Sequence, residues 1–470
     1  MPDNLQNKTS LLDDVRLSYE RKMLYEAIGR YGLEPLLVNF EERELPSFRD
    51  HVLGTCLKLS AGMSPRLFTL LEQVRGELKY DEPLDLFVEA DAEINAYAIH
   101  SCDSSPHIVT LTSSLIERMN DDELRFVIGH EIGHIHYQHY RARLIGKAIG
   151  DEDNMPRLLR HKLGIWSRLA ELSADRAGFV AAGKDLQSVV SAFFKLSSGL
   201  GPEHLKFDIS VFLQQLAELQ QLDQRTLLCG FSHPITPIRV RALQMFKDAM
   251  ENVGGRGEVD EQVVNLSKLM DYQPSEPFEI HGRDFLLAGG LLVGHADDDG
   301  ISKEEQSMLV DMLLQFMADP EEEIARITTT EKAKQLMAGS AEWLKANAGE
   351  ERFTLIRMLA RIAAVDGKIH ADEEKELERA ADLLGVPWRV ARRHVYEVLG
   401  GYLQERKSGR CPIPFGCNNR ARRAEAHYST TTTRGPSTSH FGVMPRPGAA
   451  LADMNPFTRC GAPVAVLTVT

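Results

Sequence analysis

Two histidines four residues apart, His130 and His134 with Glu131 beside the first, constrain this 470-residue chain more than any other feature in it. Side chains at that spacing share one face of an α-helix, so a helical segment lets both imidazoles reach one metal ion. Glu131 adds a carboxylate next to that ion. The run His130-Glu131-Ile132-Gly133-His134 therefore points to metal-assisted hydrolysis with Glu131 as general base. The flanking pattern agrees. Asn120 with Glu123 three residues later predicts a capped helix start, and Leu124, Val127, Ile128, Ile132 and Ile135 recur at helical spacing. His136 and His139 continue the same helix off the 130/134 face and read as surface or packing residues. Tyr137, Tyr140, Trp166 and Leu169 read as packed.

A mononuclear catalytic zinc takes three protein ligands and keeps one position open. An acidic residue on a neighbouring helix is the natural third ligand, and a second helix is expected from about Ile165 to Ala182. It carries Glu171 and Asp175 one turn apart, so one can ligate while the other accepts a hydrogen bond from a ligand histidine. Ala174, Ala177 and Gly178 are small enough to let the two helices approach closely.

Charge and composition bound the rest. A net charge of -14 argues against nucleic acid and anionic membranes as partners. The apolar run Phe285 to Val293 is about half the roughly twenty residues a membrane-spanning helix needs. The amino terminus lacks a basic-then-apolar signal pattern, and the six cysteines form no CxxC pair, so a reducing, cytoplasmic location is expected. The first 90 or so residues read as amphipathic helices. Short strands are expected at Leu84 to Glu89, about Asn95 to Ile99, and His107 to Thr112. Residues 405–470 carry nine Lys or Arg against three acids and a Ser/Thr/Gly/Pro-rich run, and are expected to be a disordered basic tail.

These motifs together resemble the M48 metallopeptidase family, the Ste24 and HtpX type of gluzincin. The resemblance rests on His130-Glu131-Ile132-Gly133-His134, then Glu171-Leu172-Ser173-Ala174-Asp175, then Asn95-Ala96-Tyr97-Ala98, and His233-Pro234 with Arg239. It implies one zinc per chain on His130, His134 and Glu171, with Asp175 orienting a ligand histidine. It also implies that Asn95, Ala96, Tyr97 and Ala98 pair with an extended peptide, which favours endopeptidase action on protein substrates. His233 and Arg239 become candidates for stabilising the oxyanion, or His233 for filling the open metal position.

Farther on, His295 to Glu305 and Ala363 to Glu374 resemble each other and suggest a duplicated helix-turn-helix unit. An EF-hand is excluded, because Ile362 and Ala364 occupy positions that need oxygen ligands when Gly367 is set at position six. The segments instead resemble the TerB tellurite-resistance domain, which implies an all-helical module. Its acids Asp297, Asp299, Glu304, Asp366, Asp372 and Glu373 read either as weak calcium or magnesium ligands or as helix caps. The expected fold is α+β and mostly helical: a zincin-like domain over residues 1–255, a linker over 256–280, an all-α TerB-like domain over 281–404, and the tail. The expected function is a zinc metalloendopeptidase. The alternative is a catalytically silent interaction or metal-sensing protein in which the TerB-like domain is primary and recruits a partner.

Overall fold

The computed structural model describes residues 10–101, 104–149, 155–221, 233–251, 256–271, 274, 276–296 and 300–407. These form two compact units. The first runs to Ile280 and includes Phe316–Pro320; the second holds His281–Gln315 and the described residues from Glu321 onward.

The first unit begins with helices α1 (Leu11–Val15), α2 (Ser18–Tyr31) and α3 (Glu34–Thr55), then β1 (Leu57–Lys58), α4 (Pro65–Leu78), β2 (Leu84–Glu89), β3 (Ala96–Ile99) and β4 (His107–Thr112). The strands make one sheet in the order β1-β2-β4-β3. β2 and β4 run parallel, while β1 and β3 are antiparallel additions at the two edges. Every residue of β4 is buried, as a central strand covered on both faces requires.

Helices α5 (Ser113–Arg118), α6 (Asp121–His136), α7 (Tyr140–Ile149), α8 (Arg157–Ala181), α9 (Leu186–Ser198), α10 (Ile209–Gln221), α11 (Thr236–Glu251) and α12 (Arg256–Ser267) complete the unit. α6 starts at the capping box that the sequence indicates, with Asn120 Oδ1 accepting from Glu123 N and Glu123 Oε2 accepting from Asn120 N. Three acids in its first turn sit at the positive end of the helix dipole. α6 packs along α8 with almost no room between them. A Cβ at Gly178 would lie 2.6 Å from Phe126 O, and one at Gly133 would lie 3.0 Å from Ala177 Cβ. Leu124, Val127, Ile128 and Ile132 of α6 and Phe179 and Val180 of α8 share one core with α4 and the sheet.

Two segments differ from expectation. α8 begins eight residues before Ile165, and its added turns carry Leu159 into the core that α2 and Trp166 share. Residues 256–267, expected as linker, are helix α12. Its Asp260 is buried, accepting from Arg176 Nη1 at 2.7 Å and from Ser18 Oγ at 3.0 Å, so the segment is integral to the first unit.

The second unit is all helical: α13 (Pro277–Gly294), α14 (Lys303–Leu313), α15 (Pro320–Arg326), α16 (Thr330–Asn347), α17 (Glu351–Ala363), α18 (Ala371–Leu383) and α19 (Trp388–Lys407). Every residue of the apolar run Phe285 to Val293 is buried, so α13 is enclosed on all sides there, and no described helix is long and apolar enough to cross a membrane. The two similar sequence segments fall between α13 and the first turn of α14, and between α17 and the first turn of α18. Each holds a glycine at positive φ, Gly300 at +72° and Gly367 at +98°, where a side chain would be strained. Each following helix has a glutamate reaching back to the N-cap amide: Glu305 to Ser302 N at 2.7 Å, and Glu373 to His370 N at 2.6 Å.

Glu373 is almost fully buried. Burial and the neighbouring carboxyl groups of Glu305 and Asp366 push its pKa from 4.5 up to about 8, against the opposing hydrogen bond from His370 N. Between those two values the folded protein holds a proton that the unfolded chain has released. Stability therefore falls as pH rises through the window from about 4.5 to about 8. We expect the thermal midpoint of the second unit to drop by several degrees between pH 5.5 and 8.5, and Glu373→Gln to flatten that drop. Melts with equal slopes in the two proteins would count against it.

Candidate metal centre

α6 and α8 are held at close range, and their facing turns carry the site. His130 Nε2 and His134 Nε2 lie 2.9 Å apart, and the two oxygens of Glu171 lie 3.5 Å from the first and 3.4 Å from the second. The ligand atoms of these three residues are all within 4.8 Å of one another. Among the described residues no other set of three His, Cys, Asp or Glu side chains converges in this way.

Both oxygens of Glu171 and Oε1 of Glu131 are buried with no hydrogen-bond partner. An unpartnered buried carboxylate is costly in a folded protein, and a divalent cation removes that cost. Two imidazoles and one carboxylate are also a donor set suited to zinc. The residues present thus fit a zinc ion.

The surrounding groups set the charge states. Asp175 accepts from His130 Nδ1 at 3.1 Å, which leaves Nε2 of that ring facing Glu171. Burial opposes protonation of His130, but Asp175 and Glu171 more than offset it and hold its pKa up at about 9. A cation entering the site displaces that proton. Burial disfavours the Glu171 carboxylate too, yet His134, His130 and His233 keep it well below the usual range. Glu131 is raised, chiefly by burial.

His233, at the approach to α11, places Nδ1 3.3 Å from Glu171 Oε1 and keeps partial exposure. Arg239 on α11 is fully enclosed. It forks onto Asp175, with Nε at 2.8 Å and Nη2 at 2.6 Å, and its Nη2 stands 3.7 Å from Glu171 Oε2. The guanidinium is thus committed to the two carboxylates of α8. Asn95 is buried just ahead of β3, and Ala96, Tyr97 and Ala98 lie on β3, an edge strand that among the described residues pairs with β4 alone.

One functional neighbour departs from the sequence reading. α6 does not continue to His139. It stops at His136, the chain reverses through Gln138 at φ +59°, and His139 folds back with its Nδ1 2.7 Å from His134 Nδ1. His139 is completely buried, whereas His136 stays partly exposed near Asp13. Tyr137 packs with its hydroxyl donating to Leu12 O.

The acids of the second unit occupy other roles. Asp372 pairs with Lys375 at 2.7 Å, Asp366 accepts from Lys368 N, and Glu373 caps α18, while Asp297 and Asp299 lie outside the described residues. Glu304 is exposed in the first turn of α14.

Two imidazoles and a carboxylate converge beside a second carboxylate, a donor set and neighbouring base of the kind metal-assisted hydrolysis uses. Residues 67–151 match the family described as Peptidase family M48, and residues 284–394 match Tellurite resistance protein TerB. The chain is 27% identical over 268 residues to the plastoglobule-localized metallopeptidase 48 of Arabidopsis thaliana, across 51% of this chain and 74% of that protein. It is 29% identical over 175 residues to the protease HtpX of Acinetobacter baumannii strain AYE, across 29% of this chain and 57% of that one. A protease HtpX homolog of Helicobacter pylori is 33% identical over 87 residues, across 18% of this chain and 28% of its own length. The match to the HtpX proteins thus spans less than two thirds of their length. No solved structure matches. The chain carries an M48-family metallopeptidase domain followed by a TerB domain.

Proposed function

We propose that this chain is a zinc-dependent endopeptidase acting on extended segments of protein substrates. The observation that carries the reading is the convergence of His130, His134 and Glu171 beside Glu131, with the free oxygens of both carboxylates buried and unpartnered. A zinc ion held by those three residues would supply Lewis acidity toward a scissile carbonyl and bring the pKa of water down to about 7.

Glu131 takes the proton of the attacking water and returns it to the leaving amine, and burial, which raises its pKa, makes it a stronger base for the first of those transfers. Asp175 keeps His130 in the tautomer that ligates. Arg239 balances the charge of Asp175 and Glu171. His233, close to Glu171 and partly exposed, is the side chain we assign to the developing oxyanion. The outer edge of β3, which no strand covers among the described residues, offers backbone groups to an extended peptide, and such pairing does not require a chain end.

The full chain should copurify with about one zinc and cleave an unfolded protein as well as a peptide blocked at both ends. A chelator should abolish both activities and zinc should restore them. Undiminished cleavage after complete metal removal would overturn the metal chemistry, and a requirement for a free terminus would overturn the endopeptidase assignment.

A further inference from the structure

We propose that His139 and Glu20 form a relay that fixes the tautomer of His134, which makes the N-terminal helix α2 part of the metal centre. The inference rests on the reading of His130, His134 and Glu171 as zinc ligands. The two Nδ1 atoms of His134 and His139 are 2.7 Å apart, so one donates and the other accepts. If His139 donated, the neutral ring of His134 would carry its proton on Nε2 and lose the lone pair a metal needs. The ligating arrangement therefore has His134 donating and His139 accepting, which puts the proton of His139 on its own Nε2.

That nitrogen faces a negative charge. His139 Nε2 is 3.7 Å from Glu20 Oε1, an electrostatic contact longer than a hydrogen bond, and both residues are fully buried. Glu20 is pinned from the other side by Arg16, whose Nε donates to Oε2 at 2.5 Å and Nη2 to Oε1 at 3.0 Å, and by Trp166 Nε1 at 2.7 Å. The Trp166 ring meets His139 edge to face at 5.4 Å and limits its rotation. A carboxylate opposite Nε2 favours the tautomer protonated there and disfavours the one that would silence His134. The two ligand histidines are thus oriented alike, His130 directly by Asp175 and His134 through one intervening imidazole. Glu20 lies before the residues that match the M48 family.

The relay separates from mere packing by zinc affinity, measured by chelator competition on the metal-free full chain, alongside thermal unfolding without metal. His139→Leu removes the acceptor, and Glu20→Gln replaces the carboxylate with a group that can donate to Nε2. Each should weaken zinc binding about 10- to 100-fold. His139→Asn supplies an acceptor oxygen that needs no help from Glu20, so it should bind more tightly than His139→Leu, and adding Glu20→Gln to it should cost little more. Zinc affinity unchanged in Glu20→Gln and His139→Leu, or full additivity of Glu20→Gln with His139→Asn, would overturn the relay. Should His139→Leu not fold, the Glu20→Gln and double-variant comparison decides the matter. If the unaltered chain binds no zinc, the endopeptidase reading falls as well; if it binds and the variants match it, the relay alone falls.

Discussion

Glu131→Gln should retain its zinc and hydrolyse peptides about 100- to 10,000-fold more slowly than the unaltered chain. The amide has nearly the shape of the carboxylate, and Glu131 is not among the converging ligand atoms, so nothing that holds the metal is removed. What disappears is the ability to accept a proton from water and hand it to the leaving amine. Metal content by atomic absorption and turnover of a blocked peptide check both halves. Activity equal to that of the parent would sink the assignment of the base, and loss of zinc would mean that Glu131 is a ligand.

Arg239→Leu should be the most destabilising single change near the centre. Asp175 is entirely buried and takes both arms of that guanidinium, so removing Arg239 leaves a carboxylate with only His130 to answer it. Breaking a buried pair from one side costs about 3–5 kcal/mol. Burial works against the Asp175 anion, and Arg239 together with His130 more than offsets it, holding the pKa below its ordinary 3.8. A depressed carboxylate contributes stability that is present above that ordinary value and lost as pH falls through the lowered one. The gap between parent and variant should accordingly be full at neutral pH and shrink in acid below 3.8, as read from denaturant melts of the metal-free proteins. A difference under about 1 kcal/mol at pH 7 would show that Asp175 is compensated some other way.

Much of the catalytic half was legible because its signals are local. β-branched and alternating residues mark β2 and β4 to the residue, and Asn120 with Glu123 marks the start of α6. The two histidines were legible from spacing, the neighbouring acidic helix offered Glu171 or Asp175, and the resemblance to the M48 family chose Glu171. His139 was not, because its placement depends on a reversal through Gln138, a residue that carries no turn signal of the kind glycine or asparagine gives. Glu20 was hidden for a different reason: only the packing of α2 against α8 brings it near residues more than a hundred positions later. The supposed linker at 256–267 shows the same limit. Gly254, Gly255 and Gly257 read as a break in the sequence, whereas the buried ion pair of Asp260 with Arg176 is a tertiary fact.

The distribution of the centre along the chain has a consequence for how the protein is made. Glu20, His130, Glu171 and Arg239 enter from helices synthesised far apart in time: the three converging donors need α6 and α8, and the guanidinium that answers Asp175 arrives only with α11. A ribosome-bound fragment ending before α11 leaves Asp175 without its guanidinium, and one ending before α8 has no third donor at all. On the proposed reading, an incomplete chain would therefore lack a charge-balanced metal site until α11 is in place.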